Sequence, residues 1–279
     1  LGLVLMIGIC YMDYTRIAVY AKPILIAYQV LLFIGLQVAG AKVNGSTRYI
    51  IMPFGNIGLN LIDLLWLTIP LFAAVLYSYR GQGYRGILKA ILWMIIPSYF
   101  LIIRSQSLIA AMILELVYCV VLAAAVYKGW FQVCKKAVLT GIGAVVVLIP
   151  VLLAGGIWCF GMAYQKERIA AILSIGDHAA DFPRVNVIRE MISGSSAFHG
   201  NPQFKELLTS VDGSVHLLAS VVAAYGILVG ILLVLCLMVL IFRFAKISLN
   251  QKNQLGMVMG TGCTALFLIQ TVVFILENL

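Results

Sequence analysis

Charged residues are scarce in this sequence of 279 residues. They make up 10% of the chain, and apolar residues make up 63%, whereas a typical soluble domain has roughly 25% charged residues. A water-soluble fold of this length could not bury so many apolar side chains, because most of its surface has to face water. The composition therefore excludes a soluble globular domain and predicts a protein that resides in a bilayer, where the surrounding solvent is itself apolar.

Motifs for metals, disulfides and nucleotides are also missing. The six cysteines occur singly, no CxxC is present, and the three histidines lack metal-ligand spacing. No Walker loop or dinucleotide fingerprint occurs. We therefore expect no metal centre and no evident cofactor. The net charge of +9 does not indicate nucleic acid as a partner, because the arrangement of the basic residues along the chain is typical of membrane topology.

Apolar runs of about the length of a membrane span follow one another along the chain. Crossing roughly 30 Å of hydrocarbon takes about 20 helical residues, and the runs do not alternate as barrel strands would. We predict an all-α, polytopic helical membrane bundle that forms one integral membrane domain over 1–279. Because residue 1 is a leucine inside an apolar run, we expect a partial span at 1–11. About seven full spans follow, at 23–40, 51–77, 88–103, 106–127, 137–163, 215–242 and 254–276. The closely spaced pair 88–103 and 106–127 predicts a helical hairpin that turns at Arg104–Ser105.

Lys and Arg concentrate in one alternating set of loops. Short loops rich in these residues stay on the cytoplasmic side of a membrane, so we predict that this set is cytoplasmic. The long loop at 164–214 belongs to the other set and is predicted to be extracytoplasmic. The cytoplasmic set comprises Arg16, Lys22, Arg80, Arg85, Lys89, Lys128, Lys135, Lys136, Arg243, Lys246 and Lys252.

A few polar residues lie inside the predicted spans. Asn56, Asn60 and Asp63 have the i, i+4, i+7 spacing of one helix face, and Glu115 lies inside 106–127. Ionisable groups within a span are costly and often mark a functional site. Helix–helix hydrogen bonding explains them equally well, so both interpretations stay open.

Short motifs also occur in a characteristic order. They are MDY at 12–14, NGSTRYI at 44–50, LIIRSQSLIAAMIL at 101–114, YQKERI at 164–169 and VIREMISGSSAFHGN at 187–201. In their order and spacing they resemble the RodA/FtsW/SpoVE (SEDS) family of cell-wall polymerases. The resemblance covers essentially the whole chain and implies a ten-helix fold, of which this chain would span the end of helix two to helix nine.

The resemblance implies an activity and partners. Such a protein would lie in the bacterial cytoplasmic membrane and join lipid II units into glycan strands on the outer face, in cell elongation, division or sporulation. A transpeptidase, a class B penicillin-binding protein, would be its partner. A divalent cation would also be consistent with the family, although no ligand motif indicates one.

The resemblance also points to site residues. When the glycine of the family motif "htDFIFavixEElG" is placed on Gly226, its Asp falls on Val215 and its two Glu residues on Ala223 and Ala224. The acid pattern is therefore absent in its expected place, and Asp212, three residues upstream, is the candidate general base. Basic groups that could hold pyrophosphate are Arg48, Arg168 and Arg104.

Two other functions remain open. The missing acids favour a catalytically silent relative that binds lipid II or a transpeptidase partner. A lipid-linked precursor flippase or transporter would instead use Asp63 and Glu115 along a central path, although no internal repeat of the kind that many transporters have is evident.

Overall fold

The computed structural model describes residues 14–43, 46–51, 58–104, 107–160, 190, 192–202 and 217–278. Within these residues, the elements with described bounds are ten α-helices, one π-helical segment and three short strands. The elements are α1 (Tyr14–Val19), α2 (Ala21–Ala39), β1 (Gly40–Val43), β2 (Ser46–Ile51), β3 (Gly58–Asn60), α3 (Leu61–Trp66), α4 (Thr68–Tyr77), α5 (Gly83–Tyr99), the π-helical segment (Phe100–Arg104), α6 (Leu108–Tyr127), α7 (Lys135–Phe160), α8 (Leu217–Tyr225), α9 (Ile227–Leu249) and α10 (Gln254–Glu277).

Helices dominate the described chain, as predicted for a membrane bundle. α2, α5, α6, α7 and α10 lie where spans were predicted from hydropathy. Within the described residues, five helical stretches are long and apolar enough to cross a bilayer, whereas about seven full spans were predicted; the exact number stays a prediction. The five are Ala21–Ala39, Gly83–Ile103, Ala110–Tyr127, Ile227–Leu249 and Gln254–Leu276.

The prediction of one helical span over 51–77 is wrong at Ile51 and at 58–60, which lie in strands. Its early residues contribute to strands β2 and β3, and the helix begins only at Leu61. The helical part is further divided at Leu67, and Pro70 lies in the first turn of α4, where the missing amide of a proline is not needed. What remains is a shorter apolar helical stretch.

A three-stranded antiparallel sheet precedes α3, with strand order β1-β2-β3. Tyr49 of β2 pairs with Ala41 on one side and with Asn60 on the other. The expectation of helices alone was therefore wrong here. β-Branched and aromatic residues in Ser46–Ile51 favour a strand, and the Asn44–Gly45 dipeptide before it is a strong hairpin signal in a sequence.

The predicted span 215–242 consists of two helices. α8 ends at Tyr225, and Gly226 adopts a φ of +101°, a backbone conformation that residues other than glycine rarely adopt. α9 begins at the next residue and runs on to Leu249. The hydropathy of the sequence could not reveal this break, because the residues on both sides of the glycine are apolar.

The helical hairpin predicted around Arg104 is confirmed. Pro97 lies inside α5 and removes one main-chain hydrogen bond of that helix. The π-helical segment follows immediately and ends at Arg104. The amide of Ser107 then donates to the carbonyl of Leu101 (3.0 Å) before α6 begins.

The chain divides into two compact units. Unit 1 comprises 1–147 and 244–266, and unit 2 comprises 148–243 and 267–279. Inside unit 1, α4 is the most enclosed helix, with Ile69, Phe72 and Val75 almost fully buried, as expected for a helix that is apolar on all sides. In unit 2, α9 exposes large apolar side chains such as Leu232 and Val239, which is the surface that a bilayer would cover.

Candidate functional site

Asn60 and Asp63 lie at the start of α3, so the prediction that they share one helix face inside a span is wrong. Asn60 is the last residue of β3 and caps the helix, because its Oδ1 accepts a hydrogen bond from the amide of Ile62 (3.1 Å). Asp63 is exposed in the first turn, where a carboxylate interacts favourably with the helix dipole. Asn56, the third member of the predicted face, lies outside the described residues.

Glu115 lies between α5 and α6. The hydroxyl of Ser98 on α5 hydrogen-bonds to Oε1 of Glu115 and also contacts the carbonyl of Met94 (3.0 Å). Ser98 is buried and Glu115 is half-buried. The two helices of the hairpin are thus joined by a polar contact of the kind that stabilises helix pairs in membranes.

Two more polar contacts join helices in unit 1. The hydroxyls of Thr68 on α4 and Tyr118 on α6 are hydrogen-bonded, and the Tyr118 ring packs on Phe72 with 4.6 Å between the ring centroids. Tyr28 of α2 donates from its hydroxyl to the carbonyl of Leu64 in α3 (2.6 Å). Together with Ser98 and Glu115, these residues connect most of the helices of unit 1 through groups that would be costly to leave unpaired.

Replacing Glu115 with glutamine is expected to leave the protein folded, because the amide can keep a hydrogen bond to Ser98. The loss in the free energy of unfolding should be about 1 kcal/mol or less. Thermal unfolding of Glu115→Gln, Ser98→Ala and the double variant would measure this, and their effects should be non-additive. If Glu115→Gln stopped the movement of a lipid-linked precursor in proteoliposomes without altering unfolding, the residue would have a transport role instead.

The structure places two of the three candidate phosphate-binding arginines. Arg48 lies in β2, where the pairing of β1 with β2 is irregular between Ala41 and Lys42. Arg104 is the last residue of the π-helical segment. Arg168 and the candidate base Asp212 lie outside the described residues, so their proximity to these arginines stays a prediction.

A loop of unit 2, residues 194–202, docks on the break between α8 and α9. The first two amides of α9, from Ile227 and Leu228, donate to the carbonyls of Ser196 and Ala197 (both 3.1 Å). The first amides of a helix have no carbonyl acceptor within the helix, and here the loop supplies two such acceptors. At the end of α8, the carbonyl of Ala223 accepts from the amide of Asn201 (2.7 Å).

Internal hydrogen bonds hold the shape of the 194–202 loop. The amide of Ser196 donates to the carbonyl of His199 (2.9 Å), and the amide of His199 donates to the Ser196 hydroxyl (3.0 Å). The side chain of Asn201 is buried and donates from Nδ2 to the carbonyl of Glu190 (2.9 Å). The loop is therefore tied both to itself and to α8.

An open cleft of about 660 Å³ lies where the loop meets α8. Its lining includes polar side chains from His199, Asn201 and Tyr225. It also includes Ala223 and Ala224, the two positions where the SEDS motif would have glutamates. The stretches at 187–201 and 212–226 were singled out separately in the sequence, and the fold brings parts of them together in this cleft. The lining residues are Phe198, His199, Gly200, Asn201, Pro202, Ala223, Ala224 and Tyr225.

The other end of α8 is held by a residue from far along the chain. Oδ1 of Asn278 accepts from the amides of Leu218 (3.1 Å) and Ala219 (3.2 Å), and its Nδ2 donates to the carbonyl of Phe274 (2.8 Å). Asn278 is almost fully buried. Both ends of the helix that borders the cleft are thus held by asparagines, Asn201 and Asn278. Asn201 belongs to a motif quoted above, whereas nothing in the sequence pointed to Asn278.

Metal-ligating residues do not gather in the described part of the chain: it contains no group of three His, Cys, Asp or Glu side chains that could hold an ion. The divalent cation that the family resemblance would allow stays a prediction.

These features define a polytopic helical membrane bundle with a cleft at a helix break. Among solved structures, the chain is similar to one in a peptidoglycan synthase complex described as coordinating polymerization and crosslinking. That alignment covers 98% of this chain and 74% of the other, with a TM-score of 0.74 and 19% identity.

A second solved structure is a variant of the rod shape determining protein RodA of Thermus thermophilus. It aligns over 99% of this chain and 72% of its own length, with a TM-score of 0.57 and 17% identity. No protein-family model and no curated protein matches the sequence. The chain thus has a RodA-like, SEDS-type fold, which confirms the fold that the sequence motifs predicted.

Proposed function

We propose that this chain is a bacterial membrane protein of peptidoglycan synthesis that handles lipid II and joins its units into glycan strands. The observation that carries this proposal is the fold likeness over 98% of the chain to a chain of a peptidoglycan synthase complex. The order of the sequence motifs supports it as well, and parts of two stretches that align with family motifs, at 198–201 and 223–225, meet in the cleft.

The proposed reaction needs a base and a site for phosphates. A sugar hydroxyl that attacks an anomeric carbon requires a carboxylate within hydrogen-bond reach, and the departing pyrophosphate requires basic groups. We assign the first role to Asp212 and the second to Arg48, Arg168 and Arg104. The 164–214 loop would then have to be extracytoplasmic, where the proposed transpeptidase partner, a class B penicillin-binding protein, also has its active site.

Polymerisation of lipid II by the purified protein tests this function. We expect glycan polymer when the protein is incubated with lipid II and a class B penicillin-binding protein, and less without that partner. Parallel reactions with Mg²⁺ and with a chelator would test the divalent cation that the family resemblance allows. Failure to form polymer in a folded, partner-bound preparation would count against a glycosyltransferase.

One observation favours a catalytically silent relative as the second candidate. The two cleft positions at which the family motif has glutamates are occupied by Ala223 and Ala224. Such a protein would bind lipid II or the transpeptidase without turnover. Binding of either partner by a preparation that forms no polymer would support this candidate, and any purified polymerase activity would exclude it.

The flippase or transporter hypothesis has less support. It rested on Asp63 and Glu115, and each has a helix-stabilising role in the described structure: Asp63 in the first turn of α3, and Glu115 in the contact with Ser98. If the protein were a transporter, Asp63→Asn should stop substrate movement in proteoliposomes, and unchanged movement would remove this hypothesis.

A further inference from the structure

Two turns and a helix start meet at one end of unit 1. The amide of Gly81, in the turn between α4 and α5, donates to the carbonyl of Trp130 in the turn between α6 and α7 (2.8 Å). The indole Nε1 of Trp130 in turn donates to Oε1 of Gln254, the first residue of α10 (3.1 Å). Hydrogen bonds therefore hold these segments in a fixed arrangement.

Four cations lie over aromatic rings at this end. We call them, together with the rings, the basic face. Lys22 and Lys89 share one ring, with their Nζ atoms 4.2 and 5.5 Å from its centroid. Arg80 lies near two other rings, with its Cζ 5.0 and 5.8 Å from their centroids, and Lys135 lies 5.8 Å from a fourth ring. The basic face comprises Lys22, Arg80, Lys89 and Lys135 with the rings of Tyr77, Tyr79, Tyr127 and Trp130.

The rings that carry these cations are themselves held in place. The hydroxyl of Tyr79 accepts a hydrogen bond from Nε1 of Trp93 (2.9 Å), and Tyr79 is buried. Tyr77 meets Trp130 edge to face, with 5.2 Å between the centroids. Arg80 is exposed, and its guanidinium carries five N–H donors in a planar fork that suits the oxygens of an oxyanion.

Carboxylates that could neutralise the basic face are distant in the described part of unit 1. Its only acidic residues there are Asp63 and Glu115. Glu115 is twelve residues before Tyr127 on α6, which is roughly 18 Å along a helix. Asp63 lies at the opposite end of the α3–α4 stretch from Tyr77. Asp13 is outside the described residues.

The basic face lies where span-length helices end. α2 and α10 begin there, α5 begins just after Arg80, and α6 ends at Tyr127. Cations and aromatic rings at the ends of membrane spans occupy the depth of the lipid headgroups. A phosphate at that depth belongs to a lipid, and basic pockets between helix ends are known binding sites for anionic headgroups.

From this geometry we infer that the basic face binds the phosphodiester headgroup of an anionic phospholipid of the phosphatidylglycerol class. Arg80 would bind the phosphate through the N–H groups of its edge, and Lys22 and Lys89 would contribute charge from the neighbouring ring. This interaction is independent of the proposed polymerase activity, since none of its residues belongs to the cleft or to the candidate catalytic set.

Native mass spectrometry of the full chain in detergent, titrated with dioleoyl-phosphatidylglycerol or dioleoyl-phosphatidylcholine, tests the inference. We expect preferential retention of phosphatidylglycerol and a loss of affinity of roughly 30-fold in the double variant Arg80→Gln, Lys89→Gln, since one cation near an anionic headgroup contributes about 5-fold. Exchanging the two residue types, as Arg80→Lys with Lys89→Arg, keeps the net charge and should therefore lose less affinity than the double glutamine variant.

The matched control removes two positive charges at positions outside the basic face. Lys136→Gln with Lys252→Gln alters two exposed lysines outside the basic face, and it should change the affinity by less than about 3-fold. If the double variant of Arg80 and Lys89 does not fold, Lys89→Gln alone should weaken binding roughly 5-fold. Equal retention of both lipids, or an equal loss in the control pair, would overturn the inference. Displacement of the lipid by millimolar inorganic phosphate would identify a general phosphate site and would overturn it too.

Discussion

Replacing Gly226 with alanine is expected to release the 194–202 loop from the α8–α9 break and to destroy the cleft. Gly226 has a φ of +101°, and an added Cβ would lie 2.9 Å from the carbonyl oxygen of Ala197 and 3.0 Å from the amide nitrogen of His199. A positive φ alone costs a residue with a side chain roughly 1–2 kcal/mol. Because both neighbours are main-chain atoms, the loop would have to move to relieve the overlap.

Replacing Gly200 with alanine is also expected to release the loop from α8, in this case only because the added Cβ would overlap main-chain atoms. A Cβ at Gly200 would overlap the carbonyl oxygens of Ala223 and Ala224, the second of them at 2.5 Å. Gly200 has no positive φ, so its substitution would push apart the loop and α8 without adding backbone strain. The two variants thus reach one structural result by different physical routes.

Two further glycine-to-alanine variants serve as controls. Gly141 lies inside α7 with open space around it, so Gly141→Ala should leave the unfolding temperature unchanged or raise it. Gly81 has a φ of +76° and also has open space, so Gly81→Ala measures the cost of the backbone conformation alone. Amide hydrogen exchange of peptides that cover 194–202 and 226–230 would report the docking. Full protection in Gly226→Ala and Gly200→Ala would contradict the proposed packing.

Asp212→Ala is expected to lower the rate of lipid II polymerisation by roughly 10²- to 10⁴-fold, which is the usual contribution of a general base. In the sequence, Asp212 is the only acid near the place where the family motif has its aspartate. The unfolding temperature should stay close to that of the unsubstituted protein. The rate should be compared with that of Glu190→Gln, because only the main-chain carbonyl of Glu190 takes part in the described contact with Asn201.

Retained polymerisation by Asp212→Ala would remove this residue from the reaction without removing the polymerase function itself. A loss of activity in Glu190→Gln as large as that in Asp212→Ala would point to a general effect of charge on the loop. A loss confined to Asp212→Ala would support its role as the base.

Hydropathy predicted the long helices well because each of them is apolar on most faces. α2, α5 and α6 lie within a few residues of the predicted spans, and the hairpin between α5 and α6 was placed correctly. The strands were missed because apolar β-branched residues such as Ile50 and Ile51 also suit a membrane helix. The Asn44–Gly45 dipeptide was the available signal for a turn.

The candidate site could be predicted only in part. The sequence singled out the two stretches that meet in the cleft, but not the way in which they meet. That contact depends on the positive φ of Gly226 and on main-chain carbonyls such as that of Ala197, and neither is visible in residue types. The interpretation of Asn60 as part of a polar helix face failed because a strand ends at that residue.

The capping of α8 by Asn278 has a consequence for biosynthesis. The amide of Leu218 donates its hydrogen bond to the side chain of Asn278, which lies 60 residues later in the chain. At a translation rate of about 5–20 residues per second, Asn278 is therefore synthesised roughly 3–12 s after Leu218. During that interval the amides of Leu218 and Ala219 lack their final partner, so the helix beside the cleft can reach its final conformation only after α10 has been synthesised and inserted. Assembly of the cleft is thus coupled to one of the latest steps in the synthesis of the described chain.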